Sequence, residues 1–132
     1  MFSSERTVIL TDQAPKALGP YSAAIIAGPF IFCSGQTGLD PVTNRLVEGG
    51  VEAETRQVLT NLKAVLEAAG ASLASVVKTT VFLRDMNDFA RMNTIYGEFF
   101  TEKYPARSTF QVAGLPRSAA VEIEAIAVRE EK

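Results

Sequence analysis

The spacing of hydrophobic residues changes along the chain between alternation, which is typical of strands, and recurrence every three or four residues, which is typical of helices. The order of these segments predicts a mixture of strands and helices. Short β-prone runs bounded by glycine or proline alternate with longer runs in which apolar residues recur every three or four positions. The pattern predicts strands at residues 7–10, 21–27, 30–36 and 75–85, two more within 105–128, and helices at 52–69 and 88–104. Gly28-Pro29 separates two of the strands, which indicates a hairpin. This order favours an α+β fold with a mixed six-strand sheet.

Each predicted helix carries one apolar stripe, so the pair is expected to cover a single face of the sheet. Gly70 stands where a helix C-cap belongs, and Asp85 or Asn87 is placed to cap the second helix. The stripes consist of Val58, Leu59, Leu62, Val65, Leu66 and Ala69 in the first helix, and Phe89, Met92, Ile95, Tyr96, Phe99 and Phe100 in the second. The strands are apolar on both sides, at Phe32 and Ile126 for example. The second face must therefore be buried in another way, which predicts a homo-oligomer.

Composition and charge narrow the class of protein. The 132 residues show no compositional break, which predicts one domain over residues 1–132. A net charge of −2 without a basic cluster makes nucleic acid an unlikely partner, and no segment reaches the length of a membrane span. Cys33 is the single cysteine, so no intrachain disulfide is possible. A reducing compartment fits this composition, and we expect a cytoplasmic protein.

The chain contains no histidine. This absence excludes Ser-His and Cys-His nucleophilic catalysis and zinc sites that depend on histidine ligands. Any chemistry must use carboxylates, arginine, lysine, tyrosine, hydroxyls or backbone amides.

Two stretches carry candidate chemistry. Residues 105–128 are interpreted as two strands joined by a Gly-Leu-Pro turn, and therefore as a hairpin or neighbouring strands. Arg107 would lie on the first strand and Glu122 and Glu124 on the second. Such charges on mainly apolar strands form either a structural ion pair or a functional site. At the end of the strand 30–36, the glycines of Ser-Gly-Gln-Thr-Gly indicate either close approach of a ligand or a plain turn.

Several segments together resemble the RidA (YjgF) family of reactive-intermediate deaminases, also described as endoribonucleases or translation inhibitors. They are Gly19-Pro20-Tyr21, Ser34-Gly35-Gln36, Val77-Lys78-Thr79-Thr80-Val81-Phe82, Asn87-Asp88-Phe89, Phe99-Phe100, Pro105-Ala106-Arg107-Ser108 and Glu122-Ile123-Glu124-Ala125-Ile126-Ala127. The resemblance implies a chorismate-mutase-like subunit, with two helices on one face of the sheet, assembled as a homotrimer. It also implies active sites in clefts between subunits, and hydrolysis of 2-imino acids to 2-oxo acids and ammonia without a metal or organic cofactor.

The resemblance also assigns roles to residues. Arg107 matches the arginine that holds the substrate carboxylate, and Glu122 the acidic residue that orients or deprotonates the attacking water. Positions expected to bind substrate are Tyr21, Ser34, the backbone of Gly35, Thr109, Phe89 and Asn93, the last two offered by the neighbouring subunit. Thr109 stands where several bacterial members have cysteine, so no thiolate chemistry is expected there.

Two functions of different classes follow from these observations. The first is an enzyme of metabolite damage control that deaminates small 2-imino acids. The alternative is a trimer that binds small carboxylates, or a ribonuclease or translation inhibitor, without deaminase activity.

Overall fold

The computed structural model describes residues 5–129 as six strands and two helices. The elements are β1 (Arg6–Ile9), β2 (Ala24–Ala27), β3 (Phe30–Gln36), α1 (Gly50–Ala68), β4 (Val76–Leu83), α2 (Phe89–Phe99), β5 (Ala106–Gln111) and β6 (Val121–Val128). The predicted order of elements and the α+β fold are confirmed. The second predicted strand and the second predicted helix are both shorter than expected. Within the described residues, no helix is long and apolar enough to cross a membrane.

The strands form one mixed sheet in the order β1-β2-β3-β6-β4-β5. All neighbours are antiparallel except β4 and β5, which run parallel because α2 connects them as a crossover. β3 lies in the interior of the sheet, which fits a strand that is apolar on both sides. The prediction that the two strands within 105–128 are neighbours is wrong, because β4 lies between β5 and β6. The crossover places β5 at the sheet edge, and residues 112–120 return the chain past β4 to form β6.

The two faces of the sheet differ in what covers them. α1 packs on β3 and β6, and the Tyr96 hydroxyl of α2 bonds to the Thr79 hydroxyl of β4 at 2.8 Å. On this helix-covered face every second residue of β6 is buried. We call the opposite side, which bears Phe30, Phe32, Phe82, Phe110 and Ile126, the open face. Phe32 and Phe110 are 45% and 46% exposed there, so the chain has the uncovered apolar face that the helix stripes predicted.

Gly70 follows the end of α1 as the sequence predicted, whereas the predicted Asp85 cap acts on the 3-10 turn before α2 and not on α2 itself, whose N-cap residue is Asp88. The Asp85 carboxylate accepts the Asn87 N–H in the 3-10 turn that precedes α2. Gly70 has φ 79°, the left-handed conformation that favours glycine after a helix. Glu54, near the start of α1, is buried and accepts the Ala120 N–H at 2.8 Å. This bond ties the start of α1 to the residue immediately before β6.

Candidate active site

Glu122 lies beside a bulge in β3. The ladder between β3 and β6 pairs Cys33 with Ala125 and next pairs Gln36 with Ile123, so Ser34 and Gly35 have no register partner in β6. Bulges of this kind re-aim backbone and side chains next to active sites. A Cβ atom at Gly35 would overlap the Glu122 carboxylate. Because Gly35 has no side chain, the Glu122 carboxylate can occupy this space.

Four of the residues predicted to form the site line one cleft of about 440 Å³, which we call the Glu122 cleft. They are Tyr21, Ser34, Gly35 and Glu122. The Ser34 hydroxyl donates to the Ser22 carbonyl at 2.6 Å, which fixes the orientation of the side chain. The Tyr21 side chain is exposed. The cleft thus combines a carboxylate, hydroxyl groups and, at Ser34 and Gly35, backbone that has no register partner in β6.

Partial burial raises the pKa of Glu122, and repulsion from the nearby Glu124 raises it further. A carboxyl group in such surroundings keeps its proton to a higher pH than an ordinary glutamate. A raised pKa makes the carboxylate a stronger base, which suits proton transfer near neutral pH.

Arg107 lies in a different cleft, formed by α2 and the start of β5. Its guanidinium donates to the Asn93 side-chain oxygen at 2.7 Å, and its Cζ atom lies 4.7 Å from the centre of the Tyr96 ring and 5.5 Å from that of Phe89. We call this cleft, of about 450 Å³, the Arg107 cleft; it is lined by Asn93, Tyr96, Gly97, Phe100, Tyr104, Pro105 and Arg107. Within residues 5–129, no carboxylate oxygen lies within 4.0 Å of the Arg107 guanidinium nitrogens. A cation held by an amide and two aromatic rings is available to an anionic ligand.

Thr109 follows Arg107 on the same face of β5. Its hydroxyl is buried and has no hydrogen-bond partner in the described part of the chain.

Cys33 is buried on the helix-covered face of β3, and burial raises the pKa of its thiol to about 12. The thiol therefore stays protonated at neutral pH. Residues 5–129 contain no group of three or more cysteine, aspartate and glutamate side chains placed to hold a metal ion.

The interpretation of Arg107 and Glu122 as a structural pair on neighbouring strands is wrong. Arg107 is in register with Thr79, whose hydroxyl bonds to α2, whereas Glu122 is in register with Phe82 on the open face. The two charged side chains therefore lie on opposite faces of the sheet, with β4 between their strands. Phe89 and Asn93 contact Arg107 within one chain, so these three residues would enter any shared site from the same subunit.

The aromatic stripe of the second helix predicted only a core position for Tyr96, and no sequence signal marked Arg117, which lines the Glu122 cleft. A signal for Tyr96 was present, since Phe89, Asn93 and Tyr96 are spaced by four and three residues and must share one face of a helix. Arg117 follows a Leu-Pro turn, and the segment around it has no hydrophobic periodicity from which its position in the cleft could be predicted.

Substituting Gly35 with alanine should remove most of any activity that depends on Glu122 and should leave the fold in place. The new methyl group would displace the far end of a flexible side chain, which costs little stability but moves the carboxylate from its position. Gly114→Ala is the matched control, because a Cβ atom at Gly114 meets no other atom within 4 Å. Thermal melts and turnover should be measured for both variants. A Gly35→Ala protein with wild-type turnover would show that the position of the Glu122 carboxylate is unimportant.

A family model described as Endoribonuclease L-PSP matches residues 11–129. The 2-iminobutanoate/2-iminopropanoate deaminase of Mus musculus is 54% identical over 98% of this chain and 96% of that protein. RidA from the Antarctic bacterium Psychrobacter has a similar structure, with a TM-score of 0.89 and 48% identity over 92% of this chain and 98% of that one. E. coli TdcF with bound serine also has a TM-score of 0.89, with 44% identity over 94% of this chain and 99% of that one.

Proposed function

The chain belongs to the Endoribonuclease L-PSP family, also known as the RidA or YjgF family, and we propose that it hydrolyses small 2-imino acids to 2-oxo acids and ammonia. The mouse relative, which aligns over nearly the whole length of both proteins, is named for this reaction on 2-iminobutanoate and 2-iminopropanoate. One observation carries the proposal. Within residues 5–129, Arg107 has no carboxylate oxygen within 4.0 Å of its guanidinium nitrogens, and in a separate cleft the surroundings of the Glu122 carboxylate raise its pKa.

These two groups complete a site only if two subunits meet, because they lie on opposite faces of one sheet. We infer a homotrimer in which the Arg107 cleft of one subunit faces the Glu122 cleft of the next. The exposed aromatic residues of the open face support this assembly, since a monomer rarely leaves such a surface in water. Asn93 and Phe89 would then enter the site together with Arg107.

In this site Arg107 binds the substrate carboxylate through two parallel hydrogen bonds, which its planar guanidinium can form and a lysine cannot. Tyr21, Ser34 and the backbone at Gly35 hold the imine end. Glu122 takes a proton from water as the water oxygen attacks C2, and the π electrons of the C=N bond move to nitrogen. Glu122 returns this proton to nitrogen, which gives a carbinolamine. Glu122 then takes the proton of the C2 hydroxyl and passes it to nitrogen, so that ammonia leaves as the carbonyl of the 2-oxo acid forms. Positioning and one base account for the catalysis.

The reaction can be tested directly with an imine released in solution by a pyridoxal-phosphate-dependent dehydratase. The protein should accelerate the release of ammonia from 2-iminobutanoate above the rate in buffer. RNA incubated with the same preparation tests the ribonuclease alternative, which the lack of histidine and the net charge of −2 disfavour. Cleavage of RNA without any acceleration of imine hydrolysis would reject the proposed function. The cytoplasmic location stays a prediction.

Substituting Phe32 with glutamate should convert the trimer into monomers and abolish turnover. The change places a charge in the middle of the open face, where assembly would have to bury it without a partner. Val42→Glu is the control, since Val42 is fully exposed on a loop and lines neither cleft. Sedimentation equilibrium at micromolar concentration measures the assembly state, and circular dichroism checks that the subunit stays folded. A wild-type protein that sediments as a monomer would contradict the assembly.

A further inference from the structure

Arg117 lines the Glu122 cleft together with Ser34, Gly35 and Glu122 itself. Within one chain it is therefore the arginine that accompanies the proposed base, whereas Arg107 lies in the other cleft. A small monocarboxylic imino acid needs one arginine for its carboxylate. The proposed reaction leaves Arg117 without a role.

The charge of Arg117 is not used by a carboxylate within residues 5–129, since none lies within 4.0 Å of its guanidinium nitrogens. The guanidinium donates to the Asn44 carbonyl at 2.6 Å, and this bond uses only one of its five N–H groups. Arg117 also forms no ion pair with Glu122: no nitrogen of its guanidinium lies within 4.0 Å of the Glu122 carboxylate, although both side chains line the same cleft. Arg117 therefore presents a fixed positive charge with N–H groups left to bind a ligand.

The backbone that carries Arg117 adopts an uncommon conformation. Arg117 has φ 57° and ψ 25°, and Ser118 has φ 56°, so two adjacent residues other than glycine are left-handed. Two charged side chains hold this segment: Arg84 donates to the Ser118 carbonyl, and the buried Glu54 accepts the Ala120 N–H. Backbone strain that neighbouring groups maintain in this way clusters at ligand-binding and active sites.

The Glu122 cleft also has more room than the smallest substrates need. Its volume of about 440 Å³ falls in the range of pockets that hold ligands much larger than a four-carbon acid. An imino acid with its first carboxylate on Arg107 and its C2 atom near Glu122 leaves its side chain free to extend into this cleft. A carboxylate at the end of that side chain would meet a guanidinium suited to bind it.

We propose that Arg117 binds the side-chain carboxylate of dicarboxylic 2-imino acids, the class formed when glutamate or aspartate is oxidised at its α-carbon. Arg117 is then a residue that determines specificity and extends the substrate range beyond the monocarboxylic imines. This inference rests on the proposed deaminase function, and it assigns to the same site a second anion-binding position.

The test compares kcat/KM for imines that an amino-acid oxidase generates in solution from glutamate and from alanine. In Arg117→Asn, the ratio of kcat/KM for the dicarboxylic imine to that for the monocarboxylic imine should fall about 10- to 100-fold, the factor expected for loss of a hydrogen bond between charged groups. Asparagine is chosen because it tolerates the left-handed backbone better than most residues. Arg45→Gln is the matched control: it removes the same charge from the exposed loop that carries Asn44, lines neither cleft, and should leave the ratio unchanged.

An unchanged ratio in Arg117→Asn overturns the proposal, whether both rates stay at the wild-type level or both fall equally. Acceleration of neither imine by the wild-type protein would instead reject the deaminase function.

A binding measurement then tests Arg117 separately. 2-Oxoglutarate should raise the melting temperature of the wild type more than 2-oxobutanoate at the same concentration, and Arg117→Asn should remove this difference. A difference that persists in the variant also overturns the proposal.

Discussion

Replacing Glu122 with glutamine should lower the rate of imine hydrolysis by about 100- to 10,000-fold, the usual contribution of a general base. Glutamine has nearly the same shape but cannot accept the proton of the attacking water. The pH profile should change as well. Wild-type turnover should rise as the pH passes through the raised pKa of Glu122, whereas the residual rate of Glu122→Gln should lack this step.

The same substitution should stabilise the fold at neutral pH. Because the folded state raises the pKa of Glu122, it binds this proton more tightly than the unfolded chain does. The favourable contribution of Glu122 is thus complete below the ordinary glutamate pKa of about 4.3 and is lost as the pH rises through the raised value. Glu122→Gln removes the partly buried charge, so its melting temperature should exceed that of the wild type at pH 7 and match it at acidic pH.

Glu124→Gln is the control for these experiments. Glu124 raises the pKa of Glu122 by repulsion, so its removal should move the pH profile of turnover to lower pH without removing the base. Binding of 2-oxobutanoate should survive in Glu122→Gln. Equal losses of binding and turnover, together with a lower melting temperature at pH 7, would mean that Glu122 is a structural residue.

Replacing Arg107 with alanine should abolish binding of 2-oxo acids while costing little stability. A buried arginine that has lost its partner typically costs 3–5 kcal/mol, but Arg107 has no carboxylate partner in residues 5–129 and rests on Tyr96 and Phe89. Its contact with the rings contributes about 0.5–1 kcal/mol. The effect on turnover should be far larger, because the carboxylate that orients the imine would have no cation to bind.

Thermal melts with and without 2-oxobutanoate measure both effects. The ligand at a hundred times its dissociation constant should stabilise the wild type by about 2.7 kcal/mol and should not stabilise Arg107→Ala. Arg107→Lys should keep only part of the effect, since a lysine lacks the planar pair of donors. Arg56→Ala, which breaks an exposed ion pair with Glu98, controls for the loss of a positive charge. Ligand stabilisation of Arg107→Ala equal to that of wild type would remove this arginine from the site.

The sequence by itself determined the order of the strands and helices and the presence of an uncovered apolar face on the sheet. β3 begins at Phe30 and ends at Gln36, as predicted, because the Gly28-Pro29 turn and the alternating pattern are local signals. α1 begins two residues earlier than predicted and ends one residue earlier. The uncovered apolar face also followed from the sequence, since each of two helices with one stripe can cover only one side of a sheet. The charges on apolar strands marked Arg107 and Glu122 as candidates, and the resemblance to a known family supplied their roles.

Only the tertiary structure decided how these candidates are arranged. Periodicity shows which residues of a strand share a face, but strand pairing depends on contacts between distant parts of the chain. The α2 crossover puts β4 between β5 and β6, and this places Arg107 and Glu122 on opposite faces of the sheet. The bulge at Gly35 and the left-handed backbone at Arg117 likewise depend on partners far away in sequence, Glu122 for the first and Arg84 and Glu54 for the second. No local pattern encodes such contacts, because packing of the whole chain selects them.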